Sequence, residues 1–228
     1  MDDIITMEKI SKIYGTKIQT QVLFDIDLSF EKGTLNSIIG ESGSGKSTLL
    51  NIMGTLDKPS SGKVILDGKE VMELSKKELA KLRNESLGFI FQFHYLLPEF
   101  TAYENVLMPY KIKGEALTKE VEDRANELMD RVGLSKVKNN KAVNMSGGQQ
   151  QRTAIARAWM NKPKMILADE PTGNLDSESS ENIYEIIREI NKDENTTFVV
   201  ITHDRRIAEK TDRIVEIKDG RIHLDVKK

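Results

Sequence analysis

One stretch of the chain has the residue types and the spacing of a phosphate-binding loop. Its glycines let the backbone curl, so that successive N–H groups point at phosphate oxygens. Lys46 would neutralise the β- and γ-phosphates, and the Ser47 hydroxyl would bind the magnesium ion that bridges them. The sequence therefore predicts a site for a nucleoside triphosphate. The residues that match the pattern G-x-x-x-x-G-K-[ST] are Gly40, Glu41, Ser42, Gly43, Ser44, Gly45, Lys46, Ser47 and Thr48.

The flanking segments predict the strand and the helix that such a loop needs. Residues 35–39 are mostly apolar and precede the loop, and residues 49–53 carry apolar side chains at helical spacing after it. This order aims the positive end of the helix dipole at the phosphates. A glycine-serine turn beside a lysine is the alternative, and the strand-loop-helix context makes it the weaker one. The loop alone does not separate kinases, GTPases and motor ATPases.

Two further apolar runs predict buried strands that end in ionisable side chains. Residues 165–168 lead into Asp169 and Glu170, and residues 198–201 lead to His203. In a parallel sheet these side chains would meet at the edge that carries the phosphate loop. Asp169 would hold magnesium through water, Glu170 would orient or deprotonate the attacking water, and His203 would bond the γ-phosphate. Taken singly, they are equally explained as a solvated strand end and a packing or capping histidine.

A helix start with few covering side chains lies in the chain between the phosphate loop and the strand that leads into Asp169. Ser146 and Gln149 form a capping box, and Gly147 and Gly148 leave the first-turn N–H groups uncovered. Such a helix end suits an approaching anion.

Composition excludes several classes of function. The 228 residues are 38% hydrophobic, which is enough for one large domain or a domain with a subdomain. The chain has no cysteine, so a disulfide framework, a cysteine-ligated zinc site and a thiol nucleophile are excluded. No signal peptide and no membrane-spanning run is predicted. The nearly balanced charge, −2 in total, argues against a general nucleic-acid binder.

The remaining segments predict antiparallel strands, helices and one aromatic stretch. Residues 4–30 alternate like half-buried antiparallel strands, and residues 118–132 have helical spacing. Between residues 89 and 103 lie six of the thirteen aromatic residues. Phe89, Ile90 and Phe91 are predicted as a core strand, and the following aromatics as a partly exposed protein contact. Hairpin turns are predicted at Asp67-Gly68 and Asp219-Gly220, and further capping boxes at Ser75 with Glu78 and at Thr101 with Glu104.

Together these motifs resemble the ATP-binding cassette family. The resemblance runs from Tyr14 to Gly220 and rests on residues 40–48, Gln92, residues 146–149, Asp169-Glu170, residues 174–176 and His203. It implies an α/β fold: a P-loop NTPase core with a mainly parallel sheet, an antiparallel β subdomain and an inserted α-helical subdomain. It further implies one ATPase domain over residues 1–228, with the core in 1–91 and 160–228 and the helical, signature-bearing subdomain in 92–159.

The resemblance also implies roles and partners for individual residues. Tyr14 would stack on adenine, Gln92 would join Ser47 and Asp169 at Mg²⁺, and Glu170 would be the catalytic carboxylate, assisted by His203 and Lys46. Two copies would enclose two ATP molecules head to tail. In that homodimer, Asp176 and the signature residues Ser146, Gly147, Gly148 and Gln149 would act on the nucleotide of the other copy.

Within the family, residues 91–106 are similar to the lipoprotein-releasing and macrolide-exporter type. That similarity implies an ATPase on the cytoplasmic face of the membrane, held there by an integral membrane permease and powering export or extraction. The end of the chain at Lys228 favours an ATPase that is a separate subunit over one that is fused to the permease. The alternative is an ATPase of this family that acts on DNA or the ribosome; no sustained heptads and no second cassette support it. Contact with the permease is predicted for Phe93, His94, Tyr95, Leu96 and Leu97.

Overall fold

The computed structural model describes residues 2–228, which form two sheets and seven α-helices. The strands are β1 (Asp3–Tyr14), β2 (Thr20–Glu31), β3 (Leu35–Ile39), β4 (Ser61–Leu66), β5 (Lys69–Glu70), β6 (Leu87–Phe91), β7 (Met165–Asp169), β8 (Thr197–Ile201), β9 (Arg213–Lys218) and β10 (Arg221–Lys227). The helices are α1 (Lys46–Met53), α2 (Lys76–Ser86), α3 (Ala102–Lys111), α4 (Lys119–Arg131), α5 (Gly147–Trp159), α6 (Ser177–Glu194) and α7 (Arg205–Ala208).

The larger sheet is mainly parallel, as predicted. Its strand order is β10-β9-β3-β8-β7-β6, and only the β9–β10 hairpin is antiparallel. Ile38 of β3 pairs with Ile201 of β8, and Ile201 in turn pairs with Asp169 of β7. The carboxyl ends of these three strands therefore lie side by side, immediately before the phosphate loop, His203 and Glu170.

The smaller sheet is antiparallel, with the order β2-β1-β4-β5. This confirms the antiparallel strands predicted for residues 4–30. The predicted Asp67-Gly68 hairpin is also present, with Asp67 in the left-handed region at φ 50°. Its second strand is short, because the chain turns into a single 3-10 turn at Val71–Glu73.

The core consists of two clusters, one on each face of the larger sheet. Alternate residues of β8 point to opposite faces, so Phe198 belongs to the cluster under helices α3 to α6, and Val199 to the cluster shared with α1 and the smaller sheet. The first cluster includes residues of the sheet and of segment 92–159 alike. The boundaries 1–91, 92–159 and 160–228 therefore stay predictions.

Helix α5 is held tightly against the sheet and against α4 and α6. Gly88 of β6 allows the close approach, since a Cβ there would lie 2.5 Å from the carbonyl oxygen of Ala158. The buried Trp159 ring also contacts the guanidinium groups of Arg124 and Arg131, which lie 5.5 and 4.5 Å from its centroid. Its Nε1–H donates to Glu194 at 2.5 Å.

Helix starts follow the sequence closely. At all three predicted capping boxes, the hydroxyl accepts from the backbone N–H three residues on, and the Glu or Gln side chain accepts from the N-cap N–H. The three boxes are Ser75 with Glu78, Thr101 with Glu104, and Ser146 with Gln149.

No helix within residues 2–228 combines the length and the apolar character that a bilayer span requires.

Phe198→Ala should lower the free energy of unfolding by about 3–5 kcal/mol, because it opens a cavity in the middle of the larger sheet. Urea unfolding followed by circular dichroism measures this. Phe93→Ala is the matched control: Phe93 is 67% exposed whereas Phe198 is 0% exposed, so the control should change stability by less than about 0.5 kcal/mol. Equal losses for the two variants would contradict the described core.

Candidate active site

The phosphate loop connects β3 to α1 and is fixed to its neighbours by backbone contacts. Gly40 has φ 150°, and a Cβ there would lie 2.2 Å from the carbonyl oxygen of Ile217, so no other residue fits. The N–H of Gly220 donates to the Ser44 carbonyl at 3.0 Å. The outer part of the loop, Glu41 to Gly43, is exposed to solvent. The loop is therefore anchored on its inner side and open on its outer side.

Several polar groups of the loop are available to an anion. The start of α1 has Gly45 as its N-cap and no side chain that caps its N–H groups. The Ser44 hydroxyl is buried without a hydrogen-bond partner. The Lys46 ammonium donates to the carbonyls of Gly40 and Glu41 at 2.9 and 2.7 Å, so it stays over the loop. These free donors and the adjacent cation fit a triphosphate.

Ser47 and Asp169 meet at the start of α1. The Ser47 hydroxyl donates to Oδ1 of Asp169, the last residue of β7, at 3.4 Å. Burial raises the pKa of the Asp169 carboxyl, more than the Ser47 hydrogen bond and the Lys46 charge lower it. A divalent cation beside this half-buried carboxylate would favour its ionised form.

The protein groups at this point suit Mg²⁺ that arrives with the nucleotide. Among residues 2–228, no group of three or more His, Asp or Glu side chains is arranged to hold a metal ion. Magnesium is ordinarily bound by one or two carboxylates together with substrate phosphates. Ser47 and Asp169 would hold it here, and it would neutralise charge on the phosphates.

Glu170 and His203 form a pair directly beyond the strand ends. His203 Nδ1 lies 2.7 Å from Glu170 Oε2. Glu170 is in the left-handed region at φ 48°, and its N–H donates to the Ile201 carbonyl at 3.0 Å. A non-glycine residue in this conformation is strained, and such strain is commonly found at functional sites. The pair places a carboxylate that can accept a proton from water beside an imidazole that can contact phosphate.

Gln92 is tied to the segment that follows Glu170. Its Nε2 donates to Asn174 Oδ1 at 3.2 Å, and Asn174 Nδ2 donates back to the Gln92 carbonyl at 3.2 Å. A Cβ on Gly173 would lie 2.8 Å from Gln92 Nε2. The loop after β6 and the loop after β7 are therefore linked by side-chain hydrogen bonds.

The signature helix start and Asp176 lie next to each other on the surface. The nearest atom to a Cβ on Gly147 would be Leu175 Cδ2, at 3.7 Å, so the backbone there remains open. Asp176 caps α6 by accepting from the Ser179 N–H at 2.8 Å, and this bond lowers the pKa of its carboxyl. Their action on a second copy of the chain stays a prediction.

Tyr14 lies beside the phosphate-loop helix. Its hydroxyl donates to Asp57 Oδ2 at 2.7 Å. Burial, followed by Asp57, raises the pKa of the phenol. The sequence contains no motif that marks Asp57 as a partner, because the two residues are far apart in the chain and meet only through the fold. Contact of Tyr14 with adenine stays a prediction.

The fold and this arrangement of groups define a P-loop ATPase. The chain belongs to the ABC transporter family: the family model described as ABC transporter matches residues 23–173. The chain is thus an ATPase that uses ATP and Mg²⁺ as the ATPase component of a transport complex.

Named relatives extend over nearly the whole chain. The lipoprotein-releasing system ATP-binding protein LolD 1 of Rhodopseudomonas palustris is 49% identical over 97% of this chain and 99% of its own. LolD of Shewanella frigidimarina is 52% identical over 95% of this chain and 91% of its own. A solved dimer of the ATP-binding cassette MJ0796, in a post-hydrolysis state bound to ADP and Pi, is 40% identical, covers 98% of both chains and has a TM-score of 0.90.

Lys46→Ala should weaken ATP binding about ten- to a hundredfold, because it removes a charge-assisted contact to the phosphates. Isothermal titration calorimetry with ATP and Mg²⁺ measures this. Lys63→Ala, which removes an exposed ammonium on β4, is the control and should bind ATP like the parent. Unchanged affinity in Lys46→Ala would contradict the assignment of the loop.

Glu170→Gln should lower the ATP hydrolysis rate at least a hundredfold and retain ATP binding, because the amide cannot accept the proton of the attacking water. A phosphate-release assay at saturating ATP tests it. Glu185→Gln, at an exposed position of α6, is the matched control and should hydrolyse ATP at the parental rate. Parental turnover in Glu170→Gln would assign the base elsewhere.

Proposed function

We propose that this chain is the ATP-hydrolysing subunit of a complex that extracts or exports lipoproteins through a membrane permease. Relatives that carry the lipoprotein-releasing name match it at 49–52% identity, almost end to end. On this proposal the chain is cytoplasmic and held at the inner face of the membrane by the permease. The observation that carries the proposal is an apolar groove beside the loop that follows β6.

The groove has a volume of about 490 Å³ and is mostly lined by apolar side chains. The core strand predicted for Phe89, Ile90 and Phe91 is confirmed as part of β6. Ile90 is fully buried and Phe89 packs half-buried against the core cluster shared with α1, while both phenylalanine rings also line the groove. They do so because β6 is the edge strand of its sheet, so one side of the strand lacks a neighbour. Other lining side chains are Tyr95, Leu97, Met108 and Ile112.

The five residues predicted to contact the permease differ in their placement. Tyr95 and Leu97 line the groove, whereas Phe93 projects into solvent next to it. The side chains of His94 and Leu96 are half-buried and do not belong to the lining. An amphipathic helix of the permease that enters the groove would bury its apolar face against these rings.

Helix α5 would link the groove to the nucleotide. Near its C-terminal end, the Arg157 guanidinium donates to the carbonyls of His94 and Tyr95 at 2.7 and 2.6 Å. Partial burial lowers the pKa of Arg157, and these two carbonyls hold the half-buried cation in place. At its N-terminal end lies Ser146, roughly 17 Å away along the helix at about 1.5 Å per residue. A shift of the groove loop would therefore move the signature motif.

In the proposed cycle, two copies close on two ATP molecules. The open N–H groups of Gly147 and Gly148 would bond the γ-phosphate that the other copy holds, with Ser146, Gln149 and Asp176 beside them. Loss of the γ-phosphate on hydrolysis would loosen the dimer, and α5 would transmit the change to the permease. The helical segment 92–159 would then move against the core formed by 1–91 and 160–228.

Tyr95→Ala should reduce co-purification of the membrane partner at least tenfold, because it removes a large apolar contact from the groove. The affinity for ATP should stay parental. The measurement is the yield of partner protein on the tagged chain from detergent-solubilised membranes. Ile18→Ala, at an exposed position between β1 and β2, is the control and should retain the partner. Parental yield with Tyr95→Ala would place the contact outside the groove.

A further inference from the structure

A three-residue cluster next to the phosphate-loop helix contains a buried cation that no step above uses. The Lys12 ammonium, on a residue only 9% exposed, donates to Asp57 Oδ1 at 2.7 Å and to the Lys58 carbonyl at 2.6 Å. Asp57 accepts the Tyr14 hydroxyl through its other oxygen, Oδ2, at 2.7 Å. Oδ1 also accepts from the Lys58 N–H at 2.7 Å, so both carboxylate oxygens have donors.

The cluster joins the end of β1 to the segment that leaves α1. Lys12 and Tyr14 are close to the C-terminal end of β1, whereas the Asp57 N–H donates to the Asn51 carbonyl of α1 at 3.2 Å. The same helix begins with Lys46 and Ser47 of the phosphate loop. Asp57 therefore links the position of the Tyr14 ring directly to the helix that binds the phosphates.

Asp57 is a fixed and ionised acceptor. Burial by itself would raise the pKa of its carboxyl, but hydrogen bonds from Lys12 and Tyr14 and from the Lys58 N–H bring the pKa below its usual value. The partner cation cannot easily leave, because a buried ammonium without a counter-ion is costly. The acceptor for the Tyr14 hydroxyl is thus held in one place.

The Tyr14 ring is held at its edge and on one face. Its hydroxyl is bound by Asp57, and the Lys12 ammonium lies 4.6 Å from the ring centroid. Tyr14 nevertheless remains 41% exposed. The arrangement leaves aromatic surface open for a planar ligand and restricts the rotation of the ring. A ring that is already ordered loses less conformational entropy when a base stacks on it.

We propose that Asp57, supported by Lys12, is a positioning residue that orients the Tyr14 ring for stacking on the base of ATP. This inference rests on the proposed contact between Tyr14 and adenine. The phosphate loop binds the triphosphate, whereas Asp57 acts only through the base. Asp57 therefore contributes to the affinity for ATP and contributes nothing to the affinity for a triphosphate without a base.

Isothermal titration calorimetry with two probes, Mg-ATP and inorganic tripolyphosphate with Mg²⁺, tests this. Tyr14→Ala should weaken ATP binding about tenfold or more, because it removes the stacking surface. Asp57→Ala and Tyr14→Phe should each weaken it about three- to tenfold, because the ring stays but loses its fixed orientation. The double variant Asp57→Ala/Tyr14→Phe should lose no more ATP affinity than either of these single variants, since both substitutions break the same contact. Tripolyphosphate affinity should stay parental throughout.

Asp225→Ala is the matched control. Asp225 also pairs with a buried cation, Arg213, at 2.7 and 2.6 Å. Arg213 begins β9 next to Asn36, at the sheet edge opposite the phosphate loop. This variant should bind both probes like the parent.

The possible results separate the inference from its premise. If Tyr14→Ala weakens ATP binding while neither Asp57→Ala nor Tyr14→Phe does, the positioning role is wrong and the adenine contact stands. If Tyr14→Ala leaves ATP affinity unchanged, both are wrong. Equal losses for ATP and tripolyphosphate in Asp57→Ala would assign Asp57 to the structure of the loop. If Asp57→Ala does not fold, Tyr14→Phe, which removes only one hydroxyl, decides the question alone.

Discussion

The parallel register of β3, β8 and β7 is the constraint on which the site depends. It places Ile38, Ile201 and Asp169 side by side, so the carboxyl ends of all three strands are aligned. A shift of one residue in β7 would move Asp169 and Glu170 by about 3.3 Å and reverse the side of the sheet that each faces. The Ser47–Asp169 and Glu170–His203 contacts would then both be lost. Apolar side chains on both faces of the sheet stabilise this register, because a slipped strand would expose them.

Around that edge, two kinds of contact hold the groups that would bind phosphate. The inner side of the phosphate loop is fixed by the backbone of the β9–β10 turn. Gln92 and Glu170, by contrast, lie in loops whose backbone and side chains hold each other through Asn174 and Gly173. A phosphate loop fixed to the sheet and a pair of loops linked to each other are what a site needs if the loss of one phosphate is to change the shape of the protein.

Where the structure departs from or adds to the predictions from sequence, the side chains involved carry no signal in their neighbouring residues. Phe89 and Phe91 occur in a run that is apolar enough for the interior, but β6 is an edge strand, and strand order is not encoded by any short stretch. Lys12, Tyr14 and Asp57 meet because β1 passes the end of α1, and Arg157 meets the carbonyls of His94 and Tyr95 because α5 returns past β6. Each contact joins residues more than forty positions apart.

By itself, the sequence determined the phosphate loop, the three capping boxes, the alternation of the antiparallel strands and the residues at the carboxyl ends of the buried strands. These features depend on interactions within about four residues, or on a single periodicity, so a short stretch specifies them. Only the tertiary structure decided that Glu170 bonds His203, that Asp57 holds Tyr14, and that the aromatic rings after Gly88 form an open groove. Such contacts depend on strand order and helix packing, which emerge only when the two faces of the sheet are covered together.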